Sequence, residues 1–293
     1  MKASETLRAP AKLNLTLEVL ARRPDGLHGL RSVMVPVDLF DELEIRRTEC
    51  GFTFRCDSSE LAAQENIVER AVRALALPGS GVEITLRKTI PTAAGMGGGS
   101  SDAAAVLLAA QRGSFGAGLH ADYLSLARSL GSDVPFFLVE TAALVEGTGE
   151  RVTALGPVPP WHAIVVKPPV AVSTAWAYER IDASAQPTRP RNTSVSIQMC
   201  EALQRGEFVR AVELAQNDFH DAILPLVPEI RTATDALREA GAIKPMLTGS
   251  GSCVFSLIRS VDERESIAER LRLPVSYRVF TCSFWNGGAW RAA

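Results

Sequence analysis

The sequence predicts a two-domain α+β protein, on three observations. Its 293 residues suit about two domains of roughly 150 residues, and a 46% apolar content supplies each with a core. Alternating segments dominate the first half and helical periods the second, in an order that suits helices packed on an antiparallel sheet. The turn-rich Gly156-Pro157-Val158-Pro159-Pro160 divides the chain into residues 1–157 and 158–293.

Leu13, Leu15, Leu17 and Val19 alternate with polar residues, which predicts a half-buried strand with Lys12 and Asn14 on one face. A turn at Arg23-Pro24-Asp25-Gly26 follows, then strand-like runs at Arg31 to Leu39, Glu42 to Arg46 and Phe52 to Cys56. Helical spacing covers Glu65 to Leu77, and Val82, Ile84 and Leu86 alternate again. Ala121 to Leu130 reads as a helix closed by a left-handed Gly131, and Ser132-Asp133-Val134-Pro135 opens a new element. In the second half, a strand at Ala163 to Lys167 precedes helices at Ser194 to Arg205, Phe208 to Asn217 and Glu229 to Ala240. A strand from Cys253 to Ile258, a helix from Asp262 to Leu271 and a strand from Val275 to Phe284 complete the reading.

A net charge of −2 leaves no cationic excess for nucleic acid or an anionic membrane surface. No stretch approaches the ~18 consecutive apolar residues of a membrane span, and the polar start carries no export signal, so a cytoplasmic protein is expected. Cys50, Cys56, Cys200, Cys253 and Cys282 form no CxxC pair, which points to reduced thiols and neither zinc nor a disulfide framework.

The most unusual segment runs Pro91-Thr92-Ala93-Ala94-Gly95-Met96-Gly97-Gly98-Gly99-Ser100-Ser101-Asp102 and leads into an alanine-rich helix. A glycine turn at a helix start offers an anion unpaired backbone N–H groups and the positive end of the helix dipole. Glycines let the backbone approach a phosphate, while Ser100 and Ser101 are able to cap the helix or reach a phosphate or Mg²⁺. Neither a P-loop nor a dinucleotide fingerprint fits the spelling, because position 100 is serine and no Gly-Lys-Ser/Thr follows.

The segment from Pro91 through Ser101 resembles the second motif of the GHMP kinases, Pro-x-x-x-Gly-Leu/Met-Gly-x-Gly-Ser-Ser. Ala9 to Leu15 resembles the first motif of that family and Leu247 to Cys253 the third, in the same order along nearly the whole chain. The resemblance implies an N-terminal domain like ribosomal protein S5 domain 2, a ferredoxin-like C-terminal domain, and ATP with Mg²⁺ meeting a small alcohol between them. Pro10 to Leu15, Arg23 to His28, Gly131 to Phe137 and the Pro190-Arg191-Asn192-Thr193 run narrow it to the branch acting on a substrate that carries a cytidine diphosphate group. A monomer or homodimer is expected.

Roles follow by resemblance. Asp133 is the candidate base for the acceptor hydroxyl and Lys12 its partner, a division that phosphoryl-transfer chemistry also favours. Locally, Asp133 reads equally well as a helix N-cap and Lys12 as a solvated strand lysine. Pro91, Gly95, Met96, Gly97, Gly98, Gly99, Ser100, Ser101 and Asn66 would bind ATP; Gly249, Ser250 and Gly251 form the third motif. Asn14, Leu27, His28, Thr174 and Tyr178 would contact substrate. The family commonly has tyrosine where Leu27 stands, stacked on cytosine, with Tyr178 placed as the second ring. Trp176 and Tyr178 read equally well as core residues. No pair of acidic Mg²⁺ ligands is evident, and Ser100, Ser101 and Asp102 are only neighbours of such a site. The alternatives are the same chemistry on homoserine or a mevalonate derivative, and a silent nucleotide- or sugar-binding regulator.

Overall fold

The computed structural model describes residues 4–58, 66–76, 81–115, 121–183 and 194–287, so the Pro190 to Thr193 run lies outside the described residues. Strand β1 (Ser4–Arg22) turns at residues 23–27 into the antiparallel β2 (His28–Thr48). The two strand-like runs expected between Arg31 and Arg46 are thus one strand, with a shift in pairing at Pro10/Ala11 that absorbs the extra residues of β2.

β1 is not half-buried as its alternation suggested. Lys12, Asn14, Thr16 and Glu18 are as inaccessible as the leucines between them. The polar face is covered by the second half of the chain, which meets it with polar groups. The Asn14 backbone N–H donates to Thr248 Oγ1 at 3.1 Å, Thr16 and Ser196 share a hydroxyl contact at 2.8 Å, and Ser196 N–H donates to Glu18 Oε2 at 3.1 Å. A buried polar strand face is tolerated because these groups find partners.

β3 (Phe52–Cys56) runs parallel to β4 (Gly81–Arg87), which pairs with β2, while the hairpin β5 (Ala142–Gly147) and β6 (Arg151–Gly156) joins β2 further along. Helices α1 (Ile67–Ala74), α2 (Gly98–Gln111), α3 (Tyr123–Leu130) and α4 (Val134–Phe137) accompany this sheet. From Ser101 to Ala110 every residue of α2 is buried, so its alanines serve close packing as much as helix propensity. Gly131 closes α3 in extended backbone, φ 172°, and not in the expected left-handed form.

The second half holds β7 (His162–Lys167), α5 (Thr174–Ala183), α6 (Val195–Arg205), α7 (Phe208–Leu214), β8 (Gln216–Asn217) and α8 (Asp218–Ile223). It continues through α9 (Pro228–Glu239), β9 (Met246–Leu247), β10 (Val254–Ile258), α10 (Val261–Arg270) and β11 (Arg278–Ser283). Four of these five strands form an antiparallel sheet in the order β11-β7-β10-β9. The helix expected over Phe208 to Asn217 stops at Leu214, because Gln216 and Asn217 pair with Thr16 and Leu17 and extend the first sheet. The connection 157–161 between β6 and β7 falls where the composition changes, yet β8 crosses back, and one core joins Leu13 and Leu15 to Trp161, Val165 and Phe255. All five cysteines are free thiols, and burial pushes Cys253 and Cys282 up to about 12, far from reactivity.

Leu107 lies at the centre of the buried α2 face. Leu107→Ala should lower stability by about 2–5 kcal/mol through cavity formation. Urea unfolding with an unchanged m-value checks this; a loss well under 1 kcal/mol would show that the helix is not central to the fold.

Candidate active site

The glycine loop and α2 form the first element of the site. Gly97 is the N-cap residue of α2 with φ 73°, and no side chain caps the helix. Ser100 and Ser101, expected as possible caps, therefore lie inside the first helical turn, where the Ser101 N–H donates to Gly97 O at 2.9 Å. An uncapped helix start suits an incoming anion. Pro91, Gly95, Met96, Gly97, Gly98, Gly99 and Ser100 line a cleft of about 420 Å³ on this side. Ser101 does not line it; its hydroxyl is fully buried and finds no partner among the described residues. Asn66 reaches the same cleft while capping α1, accepting from Val68 N–H at 2.9 Å and donating its backbone N–H to Glu69 at 3.0 Å.

Beneath the loop, Lys88 Nζ donates to Asp102 Oδ2 at 2.7 Å and also to Asp41. Asp41 Oδ1 accepts from Thr89 and Ile90 backbone N–H groups at 2.6 and 2.9 Å. These buried charges tie the strand-to-loop segment to the first turn of α2. Burial pushes the Asp102 carboxyl up, with Lys88 opposing it, and its Oδ1 finds no partner among the described residues. This cluster was not foreseen; Lys88 and Asp41 lie 47 positions apart, and no local pattern marks them.

Lys12 and Asn14 project together from β1, as their spacing required. Lys12 is buried, not solvated: its Nζ donates to Asn14 Oδ1 at 2.5 Å and stands 3.6 Å from Asp133 Oδ2. Burial holds the Lys12 ammonium below its usual value, and the Asp133 carboxylate partly offsets this. Asp133 occupies the N-cap position of α4 but makes no capping hydrogen bond, so its side chain is left to face Lys12. The third motif closes over this pair. Gly249 N–H donates to Asn14 Oδ1 at 2.8 Å, and the Asn217 carboxamide holds Leu247 O and Gly249 O at 2.8 Å each. Asn217, like Thr248, belongs to the support of the site although sequence reading did not single it out.

The two glycine motifs meet backbone to backbone. Cys253 N–H donates to Ala94 O at 3.2 Å, and a Cβ on Gly95, at φ 73°, would collide with the Thr248 carbonyl oxygen. On the far side, Leu27, His28, Thr174, Tyr178 and Asp182 line a cleft of about 530 Å³. Thr174 and Ser250 hydroxyls are 3.0 Å apart. Leu27 is largely exposed there. His28 and Tyr178 are stacked at 5.4 Å with an interplanar angle of 12°, and Tyr178 also meets the edge of Phe219. Tyr178 is thus both a packing residue and part of the cleft wall. A smaller space of about 200 Å³ around Lys12, Asn14 and Asp133 shares Gly95 and Gly97 with the phosphate-side cleft and Thr174 and Tyr178 with the far one. One trough therefore runs from the uncapped helix past the Lys12–Asp133 pair to the His28 wall.

Residues 66–141 match the family described as GHMP kinases N terminal domain, and residues 199–275 match GHMP kinases C terminal. The chain belongs to the GHMP kinase family. Within it, the chain goes with the 4-diphosphocytidyl-2-C-methyl-D-erythritol kinases: a protein of that name from Pelotomaculum thermopropionicum is 38% identical over 91% of this chain and 93% of its own. A crystal structure of 4-(cytidine 5'-diphospho)-2C-methyl-D-erythritol kinase superposes with a TM-score of 0.79 at 36% identity, covering 96% of this chain and 100% of the other. A homoserine kinase from Cytophaga hutchinsonii shares the fold, with a TM-score of 0.70 at 19% identity over 98% and 96% of the two chains.

Lys12→Met should raise thermal stability or leave it unchanged while removing most turnover, since an ammonium is costly to bury and Asp133 keeps partial access to water. The sign with pH follows from the lowered value. The folded state resists protonation, so the penalty is complete below the folded pKa and shrinks as pH rises from there towards the unfolded value of 10.5. Melting curves of both proteins from neutral to alkaline pH should converge; an advantage of the Met variant that widens with pH would refute this. Gly95→Ala should abolish ATP binding, measured by equilibrium titration, because the loop must shift away from Thr248.

Proposed function

We propose that this chain transfers the γ-phosphoryl group of ATP to the 2-hydroxyl of 4-diphosphocytidyl-2-C-methyl-D-erythritol, a step of non-mevalonate isoprenoid precursor synthesis. The observation that carries the reading is the continuous trough, with the Lys12–Asp133 pair between a phosphate-suited helix start and a wall of polar and aromatic side chains. The names of the relatives supply the substrate.

Asp133, released from capping, accepts the proton of the acceptor hydroxyl as it attacks in line. Lys12 stands beside it, held by Asn14, and its buried positive charge steadies the negative charge gathered at the transferring group. The backbone of Gly95 to Ser100 cradles the phosphates, which glycine permits and a Cβ at Gly95 would prevent. Mg²⁺ enters with the nucleotide in this reading, because phosphoryl transfer from ATP needs its charge on the phosphate oxygens. Ser100 and Asp102 line that wall and would be its protein neighbours. When bound, the ion neutralises charge on the β- and γ-phosphate oxygens.

His28, Leu27 and Tyr178 are assigned to the cytidine end and Thr174 to the span between. Leu27 gives an apolar contact without ring stacking, so the aromatic contribution falls to Tyr178 and the stacked His28. Among the described residues no helix is long and apolar enough to cross a membrane.

ADP release with Mg-ATP should be stimulated by 4-diphosphocytidyl-2-C-methyl-D-erythritol and not by homoserine or mevalonate. Stimulation by a control would keep the kinase and discard the substrate; none at all would favour a silent binder. Asp133→Asn should lower kcat by about 10²–10⁴-fold with ATP affinity nearly unchanged. Near-normal turnover in that variant would remove Asp133 from the chemistry.

A further inference from the structure

The second sheet ends against α8. β9 is its last strand, and Thr248 N–H turns inward to Cys253 O at 3.1 Å, so the backbone groups of the preceding Leu247 point outward from the edge. Both are taken by side chains about one helical turn apart. The Asn217 carboxamide donates to Leu247 O at 2.8 Å, and His220 Nδ1 accepts from Leu247 N–H at 3.3 Å. A backbone N–H only donates, so the ring nitrogen facing it is bare, and the imidazole is neutral with its proton on Nε2. The same short segment is anchored on β1: Gln216 and Asn217 pair with Thr16 and Leu17, and Asp218 Oδ2 accepts from Val19 N–H at 2.8 Å. Residues 216–220 thus reach from the strand that carries Lys12 and Asn14 to the start of the third motif. Leu247 leads directly into Thr248 and Gly249, which both donate to the Asn14 carboxamide oxygen.

A proton on Nδ1 would set N–H against N–H and remove the hold on Leu247. Burial keeps the imidazole below its ordinary 6.5; Asp221 on the same helix opposes this, and Arg238 from α9 adds to it. Lys244, ahead of β9, bears on Asp221, and the Asp218 carboxylate is turned to β1. We infer that His220 is a positioning residue for the transfer step: its bare Nδ1 fixes the third motif against Asn14 and Lys12, and protonation in mild acid loosens that motif. The inference rests on the proposed reaction for its effect on turnover, and on the hydrogen bond alone for its effect on the motif. Because the folded value is lowered, the ring is neutral above 6.5, and the hold is lost as pH falls through the folded value.

Nitrogen NMR of the histidine side chains in the full-length protein reads the ring directly. His220 should show a bare Nδ1 and a protonated Nε2, and should titrate below 6.5. A proton on Nδ1 at neutral pH overturns the inference. His220→Asn supplies an acceptor that does not titrate, and His220→Leu supplies none. With Mg-ATP and the proposed substrate at mildly alkaline pH, His220→Leu should lose about ten- to hundredfold in kcat with KM little changed, while His220→Asn stays within about threefold of wild type. In mild acid, wild type should lose turnover that His220→Asn keeps. Amide exchange of residues 247–251, corrected for the intrinsic effect of pH, should be fast in His220→Leu and in acidified wild type and slow in His220→Asn. Wild-type kcat and exchange in His220→Leu overturn the inference and leave the reaction standing. If wild type turns over no substrate, the reaction fails, and the spectra and exchange still decide the hold on the motif. Should His220→Leu not fold, wild type against His220→Asn across pH decides, and coincident exchange profiles overturn the inference.

Discussion

The geometry of the site depends on one carboxamide oxygen. Asn14 Oδ1 accepts from Lys12 Nζ at 2.5 Å, from the Gly249 N–H at 2.8 Å and from the Thr248 hydroxyl at 3.2 Å. It joins a residue of the first strand to a loop more than two hundred positions later, and both Asn14 and Lys12 are buried there. Hydrogen bonds to a charged group are stronger in such surroundings, and leaving one unmade is expensive. The Lys12 ammonium is consequently held in one place despite a long flexible stem. The Asn14 amide nitrogen is held in turn, donating to Ser32 at 2.8 Å, and Ser32 donates to Thr16 O at 2.6 Å.

A second buried arrangement supports the other side of the trough. Lys88 between Asp41 and Asp102 places one cation against two carboxylates under the phosphate loop. Buried ion pairs contribute little net stability once desolvation is included, but losing one partner leaves an expensive charge. Their service here is positional: Asp41 also accepts the N–H groups of Thr89 and Ile90, so the chain enters the glycine loop at a fixed angle. The two halves of the molecule then meet at Gly95 and Thr248, where only a residue without a Cβ fits. Catalytic geometry and domain packing are thus the same set of contacts.

Much of this was legible because it was local. A glycine loop followed by an alanine-rich run needs no tertiary information to be read as an anion site, since the N–H groups belong to the loop itself. Lys12 and Asn14 were placed on one face by the period of a strand. The role of Asp133 was ambiguous for an equally local reason, because an aspartate before Val134-Pro135 satisfies the requirements of a cap. The sequence did not show that Gly97 is the N-cap of α2, which places Ser101 inside the first turn with its hydroxyl buried. Asn217 and Asp182 carried no motif, and their partners lie far along the chain.

The sequence by itself determined the order of elements, the phosphate-suited loop, the shared face of Lys12 and Asn14, and membership of the kinase family through spelled motifs. Tertiary structure alone decided that the polar face of β1 is buried, that Asp133 is free of capping, and that His28 rests between Leu20, Tyr178 and Asp182. The division has a physical basis. Backbone propensity and side-chain period act over a few residues, whereas desolvation and the convergence of charges depend on which distant segments pack against one another.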